Sequence, residues 1–201
     1  SPIWLSTHQQ DVLYFGAHRL YRSFNQGDDW EAISNDLTAG GKPGNVPYGT
    51  LSSIHESPLR FGLLYTGSDD GLVHVTRDGG DTWMRISDSL PRNLWVSRVI
   101  ASAHEKSRVY VSLNGYRWDD FNAYLYVSED YGKKWSRLGA GLPAEPVNVV
   151  REDPVNPDLL YVGTDHGVYV SLDRGQSFQA LDGDFPATPV HDLVVQSKAK
   201  D

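Results

Sequence analysis

An all-β propeller built from about four four-stranded antiparallel blades is the fold this chain of 201 residues predicts, and three observations carry it. The first is a turn that occurs four times with the same chemistry in the same order: Ser23-Phe24-Asn25-Gln26-Gly27-Asp28-Asp29-Trp30, Thr76-Arg77-Asp78-Gly79-Gly80-Asp81-Thr82-Trp83, Ser128-Glu129-Asp130-Tyr131-Gly132-Lys133-Lys134-Trp135 and Ser171-Leu172-Asp173-Arg174-Gly175-Gln176-Ser177-Phe178. The second is their spacing of 53, 52 and 43 residues, close to the ~40–50 residues of a four-stranded blade. The third is alternation of strand type, as in Val73-His74-Val75 and Val168-Tyr169-Val170, with no useful stretch of helical periodicity. One four-stranded sheet cannot bury both its faces, whereas sheets stacked radially can, and their edges stay short.

In chain order, residues 3–6, 12–15, 20–23 and 30–33 read as the strands of a first blade. A Gly/Pro-rich connector, 38–49, leads to the second set, 50–55, 63–67, 72–76 and 83–87. The third set is 96–101, 108–113, 124–128 and 135–138; the fourth is 147–151, 160–163, 168–171 and 178–181. The whole chain, 1–201, thus reads as a single domain, with blades over 1–36, 47–90, 95–142 and 146–184. Residues 189–196 are left over as the first strand of an incomplete further blade. That remainder favours an arc of a larger propeller over a closed four-bladed ring.

Each recurrent turn joins the third and fourth strands of its blade. Its acidic residue accepts backbone N–H bonds inside the loop, Ser or Thr caps it, and Gly supplies backbone angles that side chains hinder. The aromatic that follows is expected to bury its ring between neighbouring sheets. Ser23, Asn25, Gly27 and Trp30, then Thr76, Asp78, Gly80 and Trp83, then Ser128, Asp130, Gly132 and Trp135, then Ser171, Asp173, Gly175 and Phe178 are accordingly structural. Asn25 and Asp29 depart from the pattern, so the first turn is expected to hold less firmly.

The spacing Ser/Thr-x-Asp-x-Gly-x-x-Trp/Phe is that of the Asp-box, and the chain resembles the BNR-repeat propellers, which include sialidases, sortilin-like receptors and two-propeller xyloglucanases. Gly49-Thr50-Leu51-Ser52-Ser53-Ile54, Gly71-Leu72-Val73, Val149-Val150-Arg151-Glu152-Asp153-Pro154-Val155-Asn156-Pro157 and Pro189-Val190-His191-Asp192 are similar to large bacterial BNR-repeat proteins described as glycosyl hydrolase-like, over the C-terminal part of their propeller. The resemblance implies an extracytoplasmic setting and a carbohydrate or peptide ligand. It stops short of a sialidase, because no Arg-Ile-Pro segment occurs and the arginines are scattered.

Composition removes other classes. A formal charge of −8 with no Lys/Arg run disfavours a phosphate backbone, so no nucleic acid is expected. No stretch approaches the roughly 18 apolar residues of a membrane helix. There are no cysteines, hence no disulfide framework and no thiolate zinc site. Phosphate loops, zinc-protease motifs and nucleophile elbows are absent from the sequence. No cofactor and no metal are expected: Asp69-Asp70 falls far short of the six to eight oxygens calcium takes.

A ligand is expected on the opposite face from the recurrent turns, where second-to-third-strand turns and blade connectors meet. The candidates there are Asp69, Asp70, Trp95, Tyr116, Arg117, Trp118, Asp119, Asp120, Asp165 and His166, joined by His18 and Tyr48. Ser68-Asp69-Asp70-Gly71 and Thr164-Asp165-His166-Gly167 read equally as plain hairpin turns. The insertion 114–123 exceeds what a hairpin needs; Tyr116, Trp118 and Phe121 form either a sugar-stacking platform or packing for a neighbouring blade. Three functions remain open. One is a binding face for carbohydrate or peptide. Another is a glycoside hydrolase using two carboxylates of this face. The third is a structural arc that joins the rest of a propeller, or a second copy, through its end strands.

Overall fold

A computed structural model describes residues 1–40, 49–181, 183 and 188–196. They form four four-stranded antiparallel sheets, each with its strands in sequence order. Sheet one holds β1 (Ile3–Leu5), β2 (Leu13–Gly16), β3 (Leu20–Ser23) and β4 (Glu31–Ala32). Sheet two holds β5 (Leu51–Glu56), β6 (Leu64–Ser68), β7 (Val73–Thr76) and β8 (Met84–Arg85). Sheet three holds β9 (Trp95–Ala101), β10 (Val109–Gly115), β11 (Asp120–Ser128) and β12 (Ser136–Leu138). Sheet four holds β13 (Val147–Glu152), β14 (Leu160–Thr164), β15 (Val168–Ser171) and β16 (Gln179–Ala180). The one helical element among the described residues is a 3-10 turn, Tyr116–Trp118.

Successive sheets pack through their first strands, β5 on β9 and β9 on β13, so these strands converge where the blades meet. The contact is close because the fourth residue of the second strand lacks bulk. Cβ atoms built on Gly16 and Gly67 would lie 3.0 Å from Leu51 Cβ and 2.8 Å from Val96 Cβ. Sheet three has Ser112 at this place, and its hydroxyl shares a 2.8 Å hydrogen bond with Ser97 Oγ. Three apolar clusters fill the spaces between sheets, centred on Tyr14 and Leu64, on Tyr65 and Val111, and on Tyr110 and Val150.

The recurrent turn closes identically in all four sheets. Gly27, Gly80, Gly132 and Gly175 N–H groups donate to the hydroxyls of Ser23, Thr76, Ser128 and Ser171 at 2.7–2.8 Å. Each hydroxyl donates in turn to Asn25, Asp78, Asp130 or Asp173. The first turn keeps the same bonds: Asn25 Oδ1 accepts Asp29 N–H at 2.9 Å and Asn25 Nδ2 donates to Asp29 Oδ2 at 2.8 Å. These bonds hold Asp173 down to a pKa of about 2, chiefly through the Ser177 hydroxyl.

The turn also ties each blade to the one before it. Trp83 Nε1 donates to Ile33 O at 2.8 Å and Trp135 Nε1 to Ile86 O at 2.7 Å. Gly80, Gly132 and Gly175 lie directly on Ile33, Ile86 and Leu138. Gly132 has φ +88°, and a Cβ there would overlap the Ile86 side chain, whereas Gly27, at φ +96°, has nothing nearer than its own Trp30, 3.5 Å away. Gly27→Ala is therefore expected to cost only the left-handed strain, about 1–2 kcal/mol. Gly132→Ala adds displacement of Ile86 and should cost about 1–3 kcal/mol more. Equal losses in urea unfolding would show that the contact between blades contributes nothing.

Blades one and two are also joined as blades three and four are. Ser6 Oγ donates to Glu56 Oε1 at 2.6 Å and His8 Nε2 bonds Ser57 O at 2.8 Å. At residues 96 further on, Ser102 Oγ donates to Glu152 Oε2 at 2.8 Å and His104 Nε2 bonds Asp153 O at 2.7 Å. Glu56 also accepts the Tyr14 hydroxyl at 2.9 Å. The repeat is thus organised in pairs, which a search for one period of 43–53 residues passes over.

Two segments differ from expectation. Residues 114–123 are no detour: β10 and β11 lengthen into a tall hairpin, with Gly115 opposite Asp120 and the 3-10 turn at its tip. Residues 188–196 carry no strand pairing. They lie beside sheet four, with Val190 N–H on Thr164 O at 2.8 Å. Leu51 N–H makes the corresponding bond to Ala17 O at 2.6 Å. Arg98 and Arg151 hold the backbone carbonyls of His191 and Leu193.

Candidate ligand-binding site

The tall hairpin of sheet three leans over the start of β9 and makes a cleft of about 620 Å³ with sheet four. One wall is aromatic: Trp95, Tyr116 and Phe121. Trp95 begins β9 opposite Asn114 of β10, so strand register brings it beneath the hairpin tip. Arg117 lies under cover, its guanidinium 4.3 Å above the Trp95 ring and 3.9 Å from Asp69 Oδ2. A stacked guanidinium fixes the indole plane. Tyr116 sits 6.5 Å from Trp95, centroid to centroid, at 46°.

The facing wall is polar: Asn114, Asn148 and Asp165 form a chain, with Asn114 Nδ2 on Asn148 Oδ1 at 3.0 Å and Asn148 Nδ2 on Asp165 Oδ1 at 2.8 Å. Arg98 and His191 close the end of the cleft. Aromatic faces on one side and directed amide and carboxylate groups on the other suit a ring with apolar faces and a hydroxylated rim. Asp165 is the only carboxylate among the lining residues.

Asp69, Asp70 and Asp120 are engaged by the fold. Asp69 is buried and accepts the N–H groups of Gly49 and Thr50 at 2.9 and 3.1 Å. Asp70, also buried, accepts Ala39 N–H at 2.8 Å and the Ser68 hydroxyl. These two residues latch the connector between blades one and two. Asp120 accepts the Tyr124 hydroxyl at 2.6 Å and Asn122 Nδ2 at 2.7 Å, and the Tyr124 bond foremost holds its carboxyl below the usual range. Asp119 caps the 3-10 turn with φ 54°. His166 is exposed, 3.3 Å from Glu145. His18 is exposed on blade one; Tyr48 lies outside the described residues.

Trp118 stands apart from the cleft lining. Its Nε1 donates to Asn93 O at 2.9 Å, yet the ring stays more than half exposed. Sequence reasoning missed Ser97, Arg98, Asn114, Asn148 and Pro189 as a group. One signal was available: Ser52, Ser97 and Asn148 each follow an apolar residue near the start of an inner strand, where the register shifts.

Fold and cleft together define a segment of a β-propeller. No family model matches the chain. A xyloglucanase of Hypocrea jecorina (strain QM6a) is 24% identical over 181 residues, which are 89% of this chain and 20% of that protein. Among solved structures, an ancestral GH74 enzyme superposes with a TM-score of 0.72 at 18% identity, over 92% of this chain and 24% of its own. The GH74 xyloglucanase from Xanthomonas campestris gives 0.69 at 19% identity, over 92% and 30%. The chain spans a fifth of its curated relative and less than a third of these structures.

Proposed function

We propose that this chain is an arc of a larger BNR-type propeller, its four recurrent turns being Asp-boxes, and that it binds carbohydrate in the cleft beneath the tall hairpin. The observation that carries the reading is the pairing of the Trp95–Tyr116–Phe121 wall with the Asn114–Asn148–Asp165 chain across one cleft. Likeness to proteins named xyloglucanase supports a β-glucan backbone as the first ligand to try. One lining carboxylate favours binding over hydrolysis, since glycosidases generally use two.

Isothermal titration with xyloglucan oligosaccharides and cello-oligosaccharides tests it. Trp95→Ala and Tyr116→Ala should each weaken binding about tenfold or more, equivalent to ~1.4 kcal/mol. Unchanged affinity in both variants would remove the cleft from the site. Reducing ends released in the same samples, and lost in Asp165→Asn, would move the reading to a glycoside hydrolase.

A further inference from the structure

The segment that delivers Trp95 to the cleft is held by groups that lie outside the cleft lining. Asn93 takes the left-handed conformation, φ 63°, just before β9. The turn 68–71 of blade two packs on this segment so closely that a Cβ on Gly71 would lie 3.0 Å from both Asn93 N and Leu94 O. Trp118 Nε1 donates to Asn93 O at 2.9 Å and holds the same segment from the hairpin tip. Trp95 itself carries the Arg117 guanidinium 4.3 Å from its ring centroid. Trp95 lines the cleft, whereas Arg117, Trp118 and the blade-two turn do not.

Asp69 sits at the centre of this support and uses its two oxygens in different directions. Oδ1 accepts the N–H groups of Gly49 and Thr50, where the connector between blades one and two ends, and Asp69 N–H donates in return to Thr50 O at 3.0 Å. Oδ2 faces Arg117 Nη1 at 3.9 Å, too far for a hydrogen bond. The two side chains are 2% and 15% exposed, so the attraction between their charges is screened far less than at an open surface. Connector, blade-two turn, hairpin tip and Trp95 thus make one chain of contacts that ends at the ring.

We infer that Asp69 is a positioning residue for the cleft: one of its oxygens holds the connector, the other holds Arg117, and Arg117 fixes the plane of Trp95 as the ligand-facing wall. This rests on the reading of the cleft as a ligand site. A ring whose orientation is set before a ligand arrives spares the complex the cost of ordering it. A planar guanidinium on the indole sets that orientation only while its own flexible stem is held, and Asp69 supplies the hold. The cleft is therefore coupled to the connector: a displacement at Gly49 and Thr50 reaches Trp95 through the same carboxylate, without touching the ligand.

Fluorine NMR on the full chain labelled with fluorotryptophan tests this without any ligand. The six tryptophans give one resonance each, and Trp95→Phe assigns that of Trp95. Asp69→Asn keeps an acceptor oxygen for Gly49 and Thr50 but removes the charge facing Arg117; it should shift or broaden the Trp95 resonance while those of Trp4, Trp30, Trp83 and Trp135 stay in place. Arg117→Met should do the same, and the double variant should go no further than either single one. Asp69→Ser, whose hydroxyl can still accept from the connector, reads the same resonance if Asp69→Asn melts early. Affinity for cello-oligosaccharides should fall about fivefold or more in Asp69→Asn and in Arg117→Met. A Trp95 resonance that stays in place in the Asp69 variants, as a purely structural latch predicts, would overturn the inference, whether or not Arg117→Met moves it. A resonance that moves in a chain binding no glucan would uphold the positioning of Trp95 and remove only the carbohydrate reading.

Discussion

Replacing Glu56 with alanine is expected to lower the unfolding free energy by about 3–5 kcal/mol. The carboxylate is 1% exposed and accepts the hydroxyls of Ser6 and Tyr14, at 2.6 and 2.9 Å. Alanine leaves the buried Tyr14 hydroxyl and the partly buried Ser6 hydroxyl without their acceptor, and a buried donor without a partner costs about 1–3 kcal/mol. Burial, then the Glu56 carboxylate, pushes the Tyr14 phenol up, so this tyrosine stays a donor at every accessible pH. Glu56→Gln keeps one acceptor oxygen and turns an amide N–H₂ toward the other hydroxyl, so its loss should be smaller. Glu152→Ala repeats the experiment at the second clamp, where Ser102 Oγ and Ala103 N–H are the partners. Urea unfolding measures all three; a loss under about 1 kcal/mol for Glu56→Ala would show that the clamp does not hold blades one and two together.

Acidification from pH 7 to 4 should destabilise the fold before its carboxylates titrate. Burial pulls His55 down to about 3 and His74 to about 4. His55 Nδ1 accepts Ala101 N–H at 2.9 Å and its ring lies 4.4 Å from Trp4, an arrangement that only the neutral ring can make. Above about pH 6.5 both histidines are neutral folded or unfolded, and neither contributes a pH dependence. Below it the unfolded chain takes up protons that the folded chain refuses, so stability falls as pH falls toward 4 and then 3. The Asp78, Asp130 and Asp173 carboxyls, held low by turn bonds, add their loss only below their ordinary value near 3.8. Thermal melts at pH 7, 6, 5 and 4 locate the window. A profile as steep in His55→Gln/His74→Gln as in the parent chain would assign the slope elsewhere.

The architecture was legible because it is written locally and four times. A hydroxyl, an acid, a glycine and an aromatic at fixed offsets specify a turn through bonds that span four residues, and apolar alternation specifies the strands between. The ligand face was less legible, because acids in hairpin turns look alike whether they point at solvent or at a connector. Asp69 and Asp70 have the sequence of an open turn. What consumes them is the N–H groups of Ala39, Gly49 and Thr50, between 19 and 31 residues away. Asp165 sits in a similar turn and stays in the cleft because its partner, Asn148, comes from the neighbouring inner strand. The length of the 114–123 segment pointed to the hairpin that overhangs the cleft, but its aromatics divide. Tyr116 and Phe121 face the cleft with Trp95, while Trp118 is turned to Asn93.

The indole bonds give the arc a polarity. Trp83 and Trp135 both reach backward, to the blade that precedes them in the chain, so the outer hairpins of blades two and three are each held by the blade before. In a one-dimensional array whose stability is a sum of units and nearest-neighbour couplings, such asymmetry makes fraying directional. Loss of one blade releases the fourth strand of the next, and the disturbance travels toward higher residue numbers more readily than back.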